Sequence, residues 1–245
     1  MIRVRLSLLA VLLTACTTTA ATNQGHPSTS HTNEPPTVYA AVGASETVGI
    51  GASDPSRDAW PQVFFRTALP ESTVFYNFGI PGATVGTALN VELPEALSVQ
   101  PTLVTVWLNV NDLVTGESAS VYENQLDQLL HALRRGGAAR VLVANTPYLD
   151  HLPAYVECRA GTAPAGITCP PQTIPGPDGL NSDITAYNES ISVVAQREGA
   201  ILVDLHAQGE VPDEHPDWVS SDGFHPSTSG YAAIAAEFAS ALESA

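Results

Sequence analysis

Near its C-terminus the chain reads Ser221-Asp222-Gly223-Phe224-His225-Pro226, an acid three residues before a histidine on one short turn. An aspartate at that spacing reaches one ring nitrogen of the imidazole, fixes its tautomer and leaves the other nitrogen as a proton acceptor. What such a pair needs is a hydroxyl to activate. Ser45, in the Gly-flanked stretch Gly43-Ala44-Ser45-Glu46, supplies one about 180 positions away. The stretch Gly79-Ile80-Pro81-Gly82 offers backbone amides, and Asn109, Asn111 and Asp112 crowd the stretch Leu108-Asn109-Val110-Asn111-Asp112. A nucleophile, a base with its orienting acid and a set of N–H donors are the parts that acyl transfer requires. Singly, each has a plainer reading: a loop hydroxyl, a tight turn, a helix cap, a local turn hydrogen bond.

These residues act together only if the fold gathers them. Five short apolar runs, at 37–43, 73–79, 103–109, 140–145 and 200–205, are rich in Val, Ile and aromatic residues and mostly lack polar alternation. Strands buried on both faces of a parallel sheet have this composition. Between them lie segments of helical period. Trp60, Val63, Phe64 and Thr67 form one stripe. Tyr122, Leu126, Leu129, Leu130 and Leu133 form another, expected to begin at a capping box of Ser120 and Glu123. Further stripes are Ile184, Tyr187, Ile191 and Val194, then Tyr231, Ile234, Phe238 and Leu242 after a Ser227 cap. Strand and helix alternate to the end, so the fold expected is a three-layer α/β/α sandwich around a five-stranded parallel sheet. In such sheets ligands bind outside the carboxyl ends of the strands, where Ser45, Gly82, Asn111 and His225 all fall.

Residues 147–180 break the rhythm with a Pro- and Gly-rich connection well beyond ordinary loop length. Its Tyr155 and Ile167 are candidates for an apolar wall against an acyl chain, and Asn109 is a candidate neighbour of the substrate. Cys158 and Cys169 are expected to form a disulfide that pins this connection.

The N-terminus carries a different message. Arg3 and Arg5 precede an apolar run from Leu6 to Leu13, followed by Thr14-Ala15-Cys16. This is the layout of an export signal over residues 1–15, too short to span a bilayer. Its ending resembles a bacterial lipobox with Cys16 as the lipidated residue, and the alternative is an ordinary signal cleaved nearby. Residues 16–36 are rich in Thr, Ser and Pro and read as a tether to a domain at 37–245. Hence the expected location is the bacterial cell envelope, with contact to the membrane only through the lipid anchor, or secretion if the lipobox is not used.

Charge and composition exclude several functions. The net charge is −16, and −18 once the two arginines of the signal are gone, which repels nucleic acid. All nine basic side chains are Arg, so Schiff-base chemistry, a Walker lysine and a Ser-Lys dyad are absent. His206 and His215 could join Asp204 or Asp213 around a metal, but their spacing is not that of a helical metal site, and neither metal nor cofactor is expected. Asp204 is the rival to Asp222 as the orienting acid, and Asp112 is expected to hold the turn after the third strand.

At these residues the sequence resembles the SGNH (GDSL-type) hydrolases, over about residues 37–244. Ser45 falls in the family's first block, Gly82 matches its second-block glycine and Asn111 its third-block asparagine. Asp222 and His225 match its fifth-block Asp-x-x-His. The resemblance implies the flavodoxin-like SGNH fold, with Ser45 as nucleophile and His225 as base. It also implies an oxyanion hole from the Ser45 amide, the Gly82 amide and the Asn111 side chain. Two departures stand out: Gly43-Ala44-Ser45-Glu46 replaces the usual Gly-Asp-Ser-Leu, and Asn109 replaces a glycine. The activity expected is cofactor-free hydrolysis of a small-molecule, lipid or glycan ester. The alternatives are an envelope acyltransferase or deacetylase acting on polysaccharide, and a non-catalytic acyl- or glycan-binding lipoprotein.

Overall fold

The structure, a computed structural model, describes residues 36–170, 173–209 and 211–245; the expectations placed on Cys16, the signal and most of the tether lie outside them. Five strands form: β1 (Val38–Gly43), β2 (Val74–Asn77), β3 (Leu103–Trp107), β4 (Arg140–Ala144) and β5 (Ile201–Val203). They make one all-parallel sheet in the order β2-β1-β3-β4-β5. Successive side chains of a strand point to opposite faces, and here both faces are covered. Ala40 and Val42 of β1 enter one apolar cluster with Val104 and Val106, whereas Tyr39 and Ala41 enter the other with Leu103 and Trp107. All five residues of β3 are buried, which is why its run shows no polar alternation.

Two long helices cover the first face, Ala119–Arg134 and Pro177–Glu198, packed through stacked rings of Tyr122 and Tyr187 with centroids 4.4 Å apart. On the second face Trp60–Ala68 and Thr228–Glu243 meet through Trp60 stacked on Phe238 at 4.1 Å. Each large apolar side chain fully buried in this way contributes about 1.5–3 kcal/mol of transfer free energy.

The structure shifts two local expectations. The Ala119–Arg134 helix starts two residues earlier than a Ser120 cap would give: Ser118 is its N-cap and accepts the Val121 amide. Glu123 closes no capping box; it pairs with Arg197 of the neighbouring helix at 3.0 Å. Pro177 at a helix start lengthens the fourth stripe to 22 residues, so the connection before it is shorter than 147–180 and contains its own helix, Pro153–Arg159.

For the site, the register matters most. Gly43 pairs with Trp107, so β1 and β3 end flush and their following loops leave the sheet side by side. The chain turns to one side of β1 for β2 and returns to the other for β3. This is the strand-order reversal at which open α/β sheets bind their ligands.

Candidate active site

Ser45 opens a four-residue helix, Ser45–Val48, directly after β1. Being the first helical residue, its amide has no acceptor within the helix. The turn before the last helix reaches it from the other end of the chain. Asp222 builds that turn: Oδ1 accepts the amides of Phe224 and His225, at 2.8 and 2.9 Å, and the Ser220 hydroxyl at 2.8 Å. Oδ2 then meets His225 Nδ1 at 2.7 Å, and His225 Nε2 lies 3.0 Å from Ser45 Oγ. Gly223, between acid and histidine, has φ of +74°, the left-handed region that favours glycine. Partial burial would raise the Asp222 carboxyl's pKa. Hydrogen bonds from His225, the two amides and Ser220 together outweigh it and hold the group below the ordinary aspartate value.

The turn is anchored on both sides. Ser227 caps the last helix by accepting the Gly230 amide. Tyr231 donates its hydroxyl to the Ile50 carbonyl, and Thr228 Oγ1 accepts the Ser53 amide, tying that helix to the loop after the serine. His225 itself is about nine-tenths buried, with the Phe224 ring edge-on to the imidazole at 4.9 Å.

Gly82 and Asn111 complete the constellation. Gly82 has φ of +78°, and a Cβ built there would meet nothing within 4 Å, so it borders open space. Asn111 donates one Nδ2 hydrogen to the Ala83 carbonyl at 3.0 Å, leaving the second available. Asp112 accepts the Val85 amide with both oxygens, at 3.0 and 3.2 Å. Its place is therefore to lock the Gly82 loop against the segment that carries Asn111. Burial pushes the Asp112 pKa up to about 6, against the lowering effect of that amide.

Ser45, Gly82, Asn111 and His225 line one cleft of about 770 Å³. Its walls are mostly apolar and include Ile50, Val114, Tyr155, Ile167 and Ile174. Cys158 and Cys169 are joined, with Cα atoms 5.5 Å apart, and Tyr155 donates its hydroxyl to the Pro175 carbonyl, so the wall is cross-braced. Asn109 lies outside this cleft, contrary to expectation: it is 2% exposed, with its amide directed to the Ala144 carbonyl at 3.4 Å. That hydrogen bond joins a residue just past β3 to the last residue of β4.

Asp204, the rival acid, is engaged by Asn145 and the Ala207 amide, and does not reach His225. His206 stacks on Tyr148, and His215 stacks on Trp218. No cluster of three metal-ligating side chains occurs among the described residues.

Two acids near the nucleophile were not singled out from the sequence. Glu92, 1% exposed on a π-helical turn (Ala88–Glu92), accepts the Gly43 amide at 2.8 Å, two residues before Ser45. Burial drives its pKa up to about 8, against the lowering effect of that amide. The signal for it was one acid in an apolar stretch. Glu46, noticed only as a departure from Gly-Asp-Ser-Leu, is buried with Oε2 3.3 Å from Ser45 Oγ.

Fold and site together define a class: a doubly wound α/β protein with a serine–histidine–aspartate line at the carboxyl edge of its sheet. Over residues 41–233 the sequence matches the GDSL-like Lipase/Acylhydrolase family, and the chain belongs to that family. It is thereby a hydrolase of the GDSL type. Among solved structures it is similar to a lipase/acylhydrolase from Enterococcus faecalis, at 19% identity and a TM-score of 0.64, covering 85% of this chain and 96% of that one. It is similar also to phospholipase A1 from Streptomyces albidoflavus NA297, at 20% identity and 0.61, covering 86% and 99%. A third is the psychrotrophic esterase EstA from Pseudoalteromonas, at 16% identity and 0.61, covering 84% and 97%. At such identities the likeness is one of fold. No curated protein matches the sequence significantly.

Proposed function

We propose that the chain is an exported serine ester hydrolase that works through an acyl-enzyme on Ser45. The observation that carries this reading is the unbroken line Asp222 Oδ2–His225 Nδ1, His225 Nε2–Ser45 Oγ, at 2.7 and 3.0 Å, opening into the cleft shared with Gly82 and Asn111. His225 takes the hydroxyl proton on Nε2 as Oγ bonds to the ester carbonyl carbon, and Asp222 stabilises the imidazolium. The Ser45 and Gly82 amides and the second Nδ2 hydrogen of Asn111 hold the oxyanion. Collapse passes the proton from His225 to the departing alcohol, and water then repeats the sequence to release the acid. No metal or cofactor enters any step. The apolar cleft walls favour an acyl chain longer than acetyl, on a small-molecule or lipid ester. Export and a lipid anchor at Cys16 follow from the N-terminal sequence pattern alone.

The direct test is hydrolysis of p-nitrophenyl butyrate by wild type and Ser45→Ala. The expected result is loss of turnover to the uncatalysed background; an unchanged rate refutes the mechanism.

A further inference from the structure

The hydroxyl of Ser45 has a single hydrogen and two acceptors. His225 Nε2 is 3.0 Å from Oγ, and Glu46 Oε2 is 3.3 Å from it on the following residue. Glu46 is 7% exposed, and among the described residues the serine hydroxyl is its one hydrogen-bond partner. Structural acids elsewhere near the site are matched by backbone amides, as Asp112 and Glu92 are. Glu46 instead faces the one hydroxyl that must lose its proton. It also lines a smaller crevice, of about 100 Å³, that reaches His225 beside Trp107 and Phe224. The usual first-block residue at this position, Leu, could do none of this.

We infer that Glu46 is a second proton acceptor for Ser45, a catalytic residue in its own right that sustains acyl transfer when the imidazole is missing. In that step the Oγ–H bond breaks as the Oγ–carbonyl carbon bond forms, and the proton moves to Glu46 Oε2. When the tetrahedral adduct collapses, the carbon–alkoxy bond breaks and the leaving oxygen takes that proton back. In the second half, Glu46 takes a proton from water as the hydroxyl adds to the acyl carbon, and returns it to Oγ as the acid leaves. With His225 in place the imidazole is the main acceptor, and Glu46 keeps Oγ aimed along the line between the two.

This inference rests on Ser45 being the nucleophile, so Ser45→Ala is the reference throughout. The rates to compare, with p-nitrophenyl acetate and with a fluorophosphonate label, are those of Glu46→Gln, His225→Ala, the double variant His225→Ala/Glu46→Gln, and Ser45→Ala. Where a catalytic unit has no second acceptor, losing the base leaves about the same residual rate as losing the nucleophile. Here His225→Ala is expected to stay at least about tenfold above Ser45→Ala, a modest part of what one acid–base group supplies. Adding Glu46→Gln is expected to erase that excess. Glu46→Gln with His225 intact keeps a hydrogen-bonding side chain of the same size, and its expected loss is less than about tenfold. Its labelling by the fluorophosphonate shows that the site remains folded. Equal rates for His225→Ala and Ser45→Ala, or for His225→Ala with and without Glu46, overturn the inference. So does complete loss of labelling in Glu46→Gln, which would make Glu46 indispensable to the site's structure. A fully active Ser45→Ala would overturn the nucleophile itself, a distinct outcome.

Discussion

Replacing Asp222 with Asn keeps the side chain's size and all but one of its acceptor positions. Oδ1 already receives three donors, from the Phe224 and His225 amides and the Ser220 hydroxyl, so the amide nitrogen must occupy the Oδ2 position. There it donates to His225 Nδ1 and forces the proton to Nε2, which can no longer accept from Ser45. The prediction is a fall in kcat of about 10³–10⁴-fold with KM little changed, read by steady-state ester hydrolysis. Asn111→Ala tests the oxyanion assignment in the same assay, with an expected loss in kcat of about 10²–10³-fold. At this scale the sequence was informative where two groups must be local neighbours, since an acid and a histidine three residues apart are tied by the chain itself. It was silent on Glu46 and Glu92. A carboxylate's role depends on which hydroxyl or amide the fold brings to it, and Glu92 meets Gly43 across 49 positions.

The elements were legible to different depths. Five apolar runs became five parallel strands because burial on both faces leaves a mark in composition that needs no partner to be read. Their ends were less well marked: β5 spans three residues of a six-residue run, because its pairing with β4 stops at Ala144–Val203. Helix starts depend on single hydrogen bonds, so Ser118 and Ser120 were hard to separate without seeing which hydroxyl meets an amide. The segment around Cys158 and Cys169 was legible as a candidate apolar wall, and Tyr155 and Ile167 do line the cleft, but its own helix, Pro153–Arg159, was not foreseen. Removing the disulfide with Cys158→Ser/Cys169→Ser is expected to loosen that wall and to lower stability by roughly 3 kcal/mol or less in the chain-entropy view. Cys158, Ile167 and Ile174 line the cleft and take no part in the Ser45–His225 hydrogen bond, so kcat/KM for octanoate esters should fall more than for acetate. Equal losses on both esters would show that the wall does not contact the acyl chain.

For the whole molecule, Glu92 links the site to stability. Its carboxyl is neutral in the folded protein over a range in which the unfolded chain has ionised it, the folded value being about 8 against 4.5. A raised folded pKa means that the stabilisation is complete below the unfolded value and is lost as pH rises through the folded one. Wild type should therefore lose stability between about pH 5 and pH 8, by an amount on the order of a few kcal/mol with Asp112 contributing at the lower end. Glu92→Gln cannot ionise yet still accepts the Gly43 amide. Thermal melts should show its Tm close to wild type at pH 5 and above it at pH 8. A parallel pH dependence in both proteins would exclude Glu92 as the source. The acidic whole, at −16, adds self-repulsion in the same direction, but a single neutral substitution changes that background little.

Labelling the intact protein with a fluorophosphonate and mapping the adduct by peptide mass spectrometry tests the central claim most directly. The account predicts one adduct per chain, on the peptide containing Ser45, forming far more slowly when His225 is Ala. An adduct on another residue, or ester turnover that continues undiminished with no adduct at Ser45, would contradict it.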